Sequence, residues 1–150
     1  MPRFMKSINI ISRCQAAYRA AKIADTPAAQ LSPYQHSIVL AICRNPGCSQ
    51  EEIARDICLD KSTVTRTLAH LEDAGFVRRE ANMKDKRRML VFPTEKMLAA
   101  LPSVRSISLE WNTLISCGIS EEELSTFYSV LRRMEEGARA AVEEVEGGKQ

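Results

Sequence analysis

Residues 49–94 read SQEEIARDICLDKSTVTRTLAHLEDAGFVRREANMKDKRRMLVFPT, and this stretch decides the fold. Two short helical patterns come first, and the second is rich in Ser, Thr and Arg. Gly75 then stops the second helix, and two strand-like segments, residues 76–80 and 88–92, follow around a Lys/Arg-rich turn. The order of these elements predicts a mainly α fold with a small β-hairpin (α+β), in which a helix-turn-helix is followed by a wing.

Local signals define where both helices of this stretch begin. Ser49 and Glu52 form a capping box that opens a helix of about eight residues. Asp60 caps the next helix, because its carboxylate can accept a hydrogen bond from a free N–H of the first turn. Three aliphatic residues are expected to form the inward stripe of this second helix: Val64, Leu68 and Leu71.

Helices are also predicted on both sides of the stretch. The first covers residues 5–24, and the second, residues 32–43, is apolar nearly all round and should be buried. A long helix over residues 94–116 and a last helix that begins after Ser120 follow the wing, and the last carries a heptad-like apolar seam. Three regions are therefore expected: an N-terminal dimerisation helix at 1–30, a winged helix-turn-helix at 31–96, and C-terminal dimerisation helices at 97–150.

The charges of the chain are unevenly placed, although the net charge is only +2. Residues 78–88 contain six basic and two acidic residues, which gives +4. Residues 119–150 contain eight acidic and four basic residues, which gives −4. A basic middle and an acidic tail indicate one anion-binding surface, with another task at the C-terminal end.

Several protein classes are disfavoured. No apolar run approaches the roughly 20 residues of a membrane span, and no signal peptide is expected, so we predict a cytoplasmic protein. The two histidines, His36 and His70, have no nucleophile or carboxylate partner by spacing, and no Gly-rich phosphate loop is present, so an enzyme is not expected. Five cysteines form no CxxC pair and match no zinc pattern, so no metal or cofactor is expected.

The outward face of the second helix carries the candidate chemistry. Short hydroxyls can reach base edges or phosphates, a guanidinium can bind guanine with two hydrogen bonds, and a helix N-terminus attracts phosphate. The candidate DNA contacts on this helix are Lys61, Ser62, Thr63, Thr65 and Arg66.

The turn of the wing is longer and more cationic than a minimal hairpin requires. One guanidinium at its tip could enter a narrow, A·T-rich minor groove, where the negative potential is concentrated. Asp85 would hold Arg87 in one orientation through a charge-assisted pair. The candidate contacts in the wing are Lys84, Asp85, Arg87 and Arg88.

The segment DKSTVTRTLAHLEDAGFVRRE, followed by KDKRRMLVFPTEK, resembles the recognition helix and wing of the MarR family of winged helix-turn-helix transcription regulators. The resemblance covers residues 31–96. It implies a homodimer that binds a pseudo-palindromic operator in double-stranded DNA, with Arg87 reading the minor groove. It also implies that Ser49 and Gln50 lie near phosphates.

The same resemblance implies a repressor that is released by a small-molecule effector or by cysteine oxidation. Candidate ligand-binding residues are Tyr18, Tyr34, His36 and Trp111, for which ordinary core or interface packing is the alternative. The redox candidates are Cys14, which follows a basic residue, and Cys48, which lies at a helix start. Cys43 and Cys58 are expected to be small core residues.

A second function class stays open at this point. A winged helix can also serve as a protein–protein interaction module that does not read DNA sequence, with its basic wing bound to an acidic partner. A steep loss of affinity for duplex DNA with rising salt would favour the first class over the second.

Overall fold

The structure, a computed structural model, describes residues 4–85 and 88–147. The elements in chain order are α1 (Phe4–Ile23), a 3₁₀ turn (Pro33–Gln35), α2 (His36–Arg44), β1 (Cys48–Ser49), α3 (Gln50–Ile57), α4 (Lys61–Asp73), β2 (Val77–Ala81), β3 (Met89–Pro93), α5 (Glu95–Ile115) and α6 (Glu121–Gly147). The mainly helical fold with a small β-hairpin is confirmed. Within these described ranges, no helix combines the length and apolar character that crossing a membrane requires. The chain divides into two compact units, Met1–Trp111 and Asn112–Gln150.

The core of the first unit forms around α2, as its apolar sequence predicts. Ile38, Val39 and Ile42 of this helix are buried. They belong to one cluster with the inner stripe of α4 and with residues of the hairpin and α5. Burial of such aliphatic side chains contributes about 1.5–3 kcal/mol each. Helix α2 therefore provides buried apolar surface against which the helix-turn-helix packs.

Capping sets the starts of α3 and α4. The Ser49 side chain and the Glu52 side chain each accept a hydrogen bond from the other residue's backbone N–H, at 3.3 and 2.7 Å. Asp60 caps α4 by accepting from the Thr63 N–H at 2.8 Å. Cys58 ends α3 in the left-handed region, at φ 51°, and is exposed, so its expected core position is wrong. A C-cap in this conformation turns the chain outward at the residue where α3 stops.

The sheet has three antiparallel strands in the order β1-β3-β2. Val77 pairs with Pro93 and Ala81 with Met89, so each hairpin strand begins one residue later than predicted. The two-residue β1 was not predicted, and it joins the sheet by pairing Cys48 with Val91. These pairings attach the wing directly to the segment that opens α3.

The second unit consists of the end of α5 and the long helix α6. The predicted capping box is present, because the Ser120 N–H donates to Glu123 at 2.9 Å and the Glu123 N–H donates to the Ser120 hydroxyl at 3.3 Å. None of the described α6 side chains is buried. The described side chains of the apolar seam are therefore exposed or half-buried.

Candidate nucleic-acid interface

The orientation of α4 places its polar face outward, as predicted. Val64, Leu68 and Leu71 are buried, so the stripe faces the core. The opposite side is exposed at four of the five candidate positions, while Thr63 is half-buried; the exposed residues are Lys61, Ser62, Thr65 and Arg66. The first two turns of α4 therefore present hydroxyl groups, an ammonium and a guanidinium to the outside.

Asp60 organises the N-terminal turn of this helix. Its carboxylate accepts hydrogen bonds from the Ser62 hydroxyl at 2.5 Å and from the Thr63 N–H at 2.8 Å. The Ser62 hydroxyl, followed by the hydroxyl and N–H of Thr63, holds the pKa of Asp60 well below its usual range. The carboxylate therefore stays charged and keeps Ser62 in one orientation at the helix start.

Gln50 and Thr65 connect the two helices of the motif. The Gln50 side-chain amide donates to the Thr65 hydroxyl at 3.3 Å, and that hydroxyl donates to the Lys61 carbonyl at 2.8 Å. Arg66 lies nearby, and its hydrogen bonds to described residues are long, from Nε to the Ser62 carbonyl at 3.4 Å and from Nη2 to the Thr63 hydroxyl at 3.5 Å. Such bonds are at the weak end of the range, so the guanidinium can exchange them for a base edge at little cost.

The base of the wing turn is closed by backbone hydrogen bonds. The Asn82 N–H donates to the Arg88 carbonyl at 2.9 Å, and the Arg88 N–H donates to the Asp85 carbonyl at 2.9 Å. Lys84 is exposed, and its N–H donates to the Asn82 side chain at 2.9 Å. Arg87 lies outside the described residues, so its pairing with Asp85 and its minor-groove role stay predictions.

Three wing arginines have protein partners that the sequence did not reveal. Arg78 pairs with Glu80 on its own strand and lies over the Phe92 ring, 4.7 Å from its centroid. Arg79 pairs with Glu72, near the end of α4. Arg88 donates from Nη2 to the Ser49 hydroxyl at 3.4 Å. Part of the wing's positive charge is therefore engaged within the protein.

Ser49, which is predicted to lie near phosphate, is a buried capping residue in the structure. The residue is only 1% exposed, and its hydroxyl donates a hydrogen bond to the Glu52 carboxylate at 2.9 Å. The Ser49 N–H and hydroxyl also lower the pKa of Glu52. The buried cap means that Ser49 positions α3 and the adjoining strand, while the neighbouring Gln50 is the more accessible of the two residues.

The four candidate ligand residues do not come together in one site. Tyr18 and Trp111 contact each other, with ring centroids 5.4 Å apart, and His36 is fully buried. Tyr34 is exposed and lines a cavity of about 590 Å³ between α1, the 3₁₀ turn and α4. The side chain of Arg19, which the sequence reasoning missed, also lines this cavity.

The redox candidates have different environments. Cys14 is exposed on α1. Cys48 is half-buried in β1, and burial raises the pKa of its thiol. A raised pKa lowers the thiolate fraction at neutral pH, which removes the reason for expecting Cys48 to be reactive.

The chain is similar in sequence and in structure to known transcriptional regulators. The sequence model of the MarR family matches residues 31–89. The transcriptional regulator HosA of Escherichia coli is 34% identical over 108 residues, which cover 69% of this chain and 77% of HosA. The crystal structure of the transcriptional regulator SlyA matches with a TM-score of 0.90 and 26% identity, over 96% of this chain and 99% of that one. A putative MarR family regulator from Listeria monocytogenes, crystallised with a 26mer DNA, has the same fold, with a TM-score of 0.90 at 24% identity and coverage of 99% and 97%.

Proposed function

The chain belongs to the MarR family of transcription regulators, and on that premise we propose that it is a homodimer that reads a pseudo-palindromic operator in double-stranded DNA. Members of this family are regulators and not enzymes. The observation that carries the proposal is the exposed hydroxyl and guanidinium face of α4, which lies next to a cationic wing in the same unit. A regulator of this kind acts where the chromosome lies, so we place it in the cytoplasm.

The two parts of this surface suit different grooves. A helix of this width fits the major groove, where Arg66 can bind guanine and the Thr65 hydroxyl can reach a base edge. The Ser62 hydroxyl and the N–H groups at the start of α4 suit phosphate. Lys84 and Arg87 belong to the wing turn, and a guanidinium there suits a narrow A·T-rich minor groove.

Dimerisation is supported by apolar side chains that the single chain leaves exposed. On α1 these are Phe4, Met5, Ile8, Ile10 and Ile11. On α6 they are Phe127, Val130, Leu131, Met134, Val142 and Val145. Exposed apolar side chains along a helix are typical of an interface. A two-fold dimer would cover them and would place two α4 helices about one helical turn of DNA apart.

We further propose that the protein acts as a repressor and that a small organic anion releases it from DNA. The 590 Å³ cavity is of a size typical for small-molecule sites. Among the described residues that line the cavity, Arg19 is the charged one. Its buried Nε has no hydrogen-bond partner among the residues that the structure describes. Thr63 and Thr67 of α4 also line the cavity, so an occupant would touch the helix that reads DNA. The raised pKa of Cys48 makes oxidation of that cysteine the less favoured signal.

The test is a selection of duplexes from a random pool by the purified protein, followed by titration of the best duplex at several salt concentrations. We expect a pseudo-palindromic consensus and a linear fall of log K with log salt. Failure to enrich any sequence, or binding to a protein partner that survives high salt, would instead support an interaction module.

The effector proposal has a separate test. Benzoate should release the selected duplex from the parent protein and not from Arg19→Gln, which loses the cation of the cavity. Equal release from both proteins would remove the cavity from the mechanism.

A further inference from the structure

One ion pair links the wing to the recognition helix. Arg79 of β2 donates from Nε to Glu72 Oε2 at 2.8 Å, and its Nη2 donates to the same oxygen. Both side chains are largely shielded, with 25% and 34% of their surfaces exposed. Each partner stabilises the charged form of the other, since the pKa of Glu72 is lowered and that of Arg79 is raised. The contact is therefore a charge-assisted pair between two elements and not a solvated surface pair.

The position of this ion pair lets a small rotation at Arg79 produce a large displacement of the wing tip. Glu72 lies in the last turn of α4, and the chain between α4 and β2 turns at Gly75 with φ 76°. The wing tip begins four to five residues beyond Arg79, which is about 13–17 Å of extended strand. A rotation of about 10° at Arg79 would therefore move the tip by roughly 2–3 Å, enough to break a hydrogen bond in a DNA groove.

We propose that Arg79 and Glu72 are positioning residues that brace the wing against α4 and so set the distance between the major-groove and minor-groove contacts of one half-site. The inference rests on the proposed DNA-binding function and assigns Arg79 to the protein framework, although it lies in the basic stretch that attracts phosphate. Arg88 supports the opposite edge of the wing through the Ser49 hydroxyl.

Simple electrostatics predicts the opposite effect for Glu72. Removing an acidic residue near a DNA-binding surface should strengthen phosphate attraction, and it would also release Arg79 to contact phosphate. If the ion pair between Arg79 and Glu72 fixes the wing, removing Glu72 should instead weaken DNA binding, because the wing no longer keeps one angle to α4. Asp73 provides a matched control, since it is the next residue on α4, is exposed and carries the same charge. It attracts Arg79 through space, whereas the hydrogen bonds of Arg79 go to Glu72.

The experiment uses the duplex selected by the parent protein, together with a version in which its A·T-rich flank is replaced by G·C pairs. Affinity is measured over a range of salt for the parent, Glu72→Ala, Asp73→Ala and Arg79→Gln, and for the exchange Glu72→Arg with Arg79→Glu. Thermal unfolding of every variant shows that the protein is folded at the assay temperature.

We expect Glu72→Ala and Arg79→Gln to bind the A·T-flanked duplex about tenfold more weakly and to lose most discrimination between the two flanks. The salt slope should stay at the parent value, Asp73→Ala should bind at least as tightly as the parent, and the exchange should restore much of the flank discrimination. Tighter binding by Glu72→Ala, or a salt slope lowered by about 0.9 in Arg79→Gln, would overturn the proposal, since the latter means a lost phosphate contact. A parent that selects no duplex would instead refute the proposed function itself, and the brace with it.

Discussion

Acid should destabilise this protein through His36. The imidazole is fully buried at the start of α2, and neither ring nitrogen has a hydrogen-bond partner in the described part of the chain. Burial, assisted by the positive charge of Arg19, lowers the pKa of His36 from 6.5 to about 4. The unfolded chain therefore takes up a proton near pH 6.5 while the folded protein stays neutral. Stability that is present at pH 7 is lost as the pH falls from about 6.5 to about 4.

The size of the effect follows from the shift. A folded-state pKa of about 4 against an unfolded value of 6.5 gives a loss of about 2 kcal/mol at pH 5 and about 3 kcal/mol at pH 4. Carboxylates such as Glu52 and Glu72, whose pKa values are lowered, also lose stabilising interactions on acidification. The contribution of His36 is therefore measured by comparing the pH dependence of the free energy of unfolding in the parent and in a variant that cannot titrate at this position.

Denaturant unfolding at pH 7, 6, 5 and 4.5, at one fixed protein concentration, measures this difference for the parent and His36→Leu. Leucine has a similar volume and leaves no buried polar atom without a partner. As the pH falls, the free energy of unfolding of His36→Leu should rise relative to that of the parent. His70→Gln, at the exposed histidine of α4, is the matched control and should follow the parent. Parallel pH profiles for the parent and His36→Leu would show that protonation of His36 does not destabilise the folded protein.

Other substitutions test separate parts of the structure. Ser49→Ala should lower stability by about 1 kcal/mol through loss of the cap, with the salt slope of DNA binding unchanged. Gly75→Ala should cost about 1 kcal/mol in thermal unfolding, from its positive φ alone, since the nearest atom to an added Cβ is Lys96 Cδ at 4.0 Å. Leu131→Arg, at an exposed seam position of α6, should shift the protein from dimer to monomer in sedimentation and weaken operator binding. Arg87→Ala should weaken binding mainly at operators with an A·T-rich flank.

The parts of the fold that depend on local chemistry were predictable from the sequence. Ser49 and Glu52, Asp60, and Gly75 each act through their own backbone or through a residue three positions away, so a single sequence contains the whole signal. The outward placement of Thr65 and Arg66 follows in the same way from the period of the aliphatic stripe.

The remainder depends on tertiary contacts. β1 is only two residues long and is a strand because Cys48 pairs with Val91, which no local pattern reveals. Arg88 contacts a serine 39 positions away, which charge counting does not reveal, and its contact with DNA stays a prediction. The cavity beside Arg19 likewise forms only when α1 meets the turn before α2 and the start of α4.

If the exposed face of α4 reads base sequence, the loss of the Arg66 guanidinium must change which duplexes the protein prefers. Duplexes are selected from the same random pool by the parent and by Arg66→Ala, and the affinities of both proteins for the parent's best duplex are compared. We expect the variant to lose its preference at one base pair of each half-site and to bind the parent's duplex more weakly by about 1–3 kcal/mol. An unchanged consensus together with unchanged affinity would contradict this expectation.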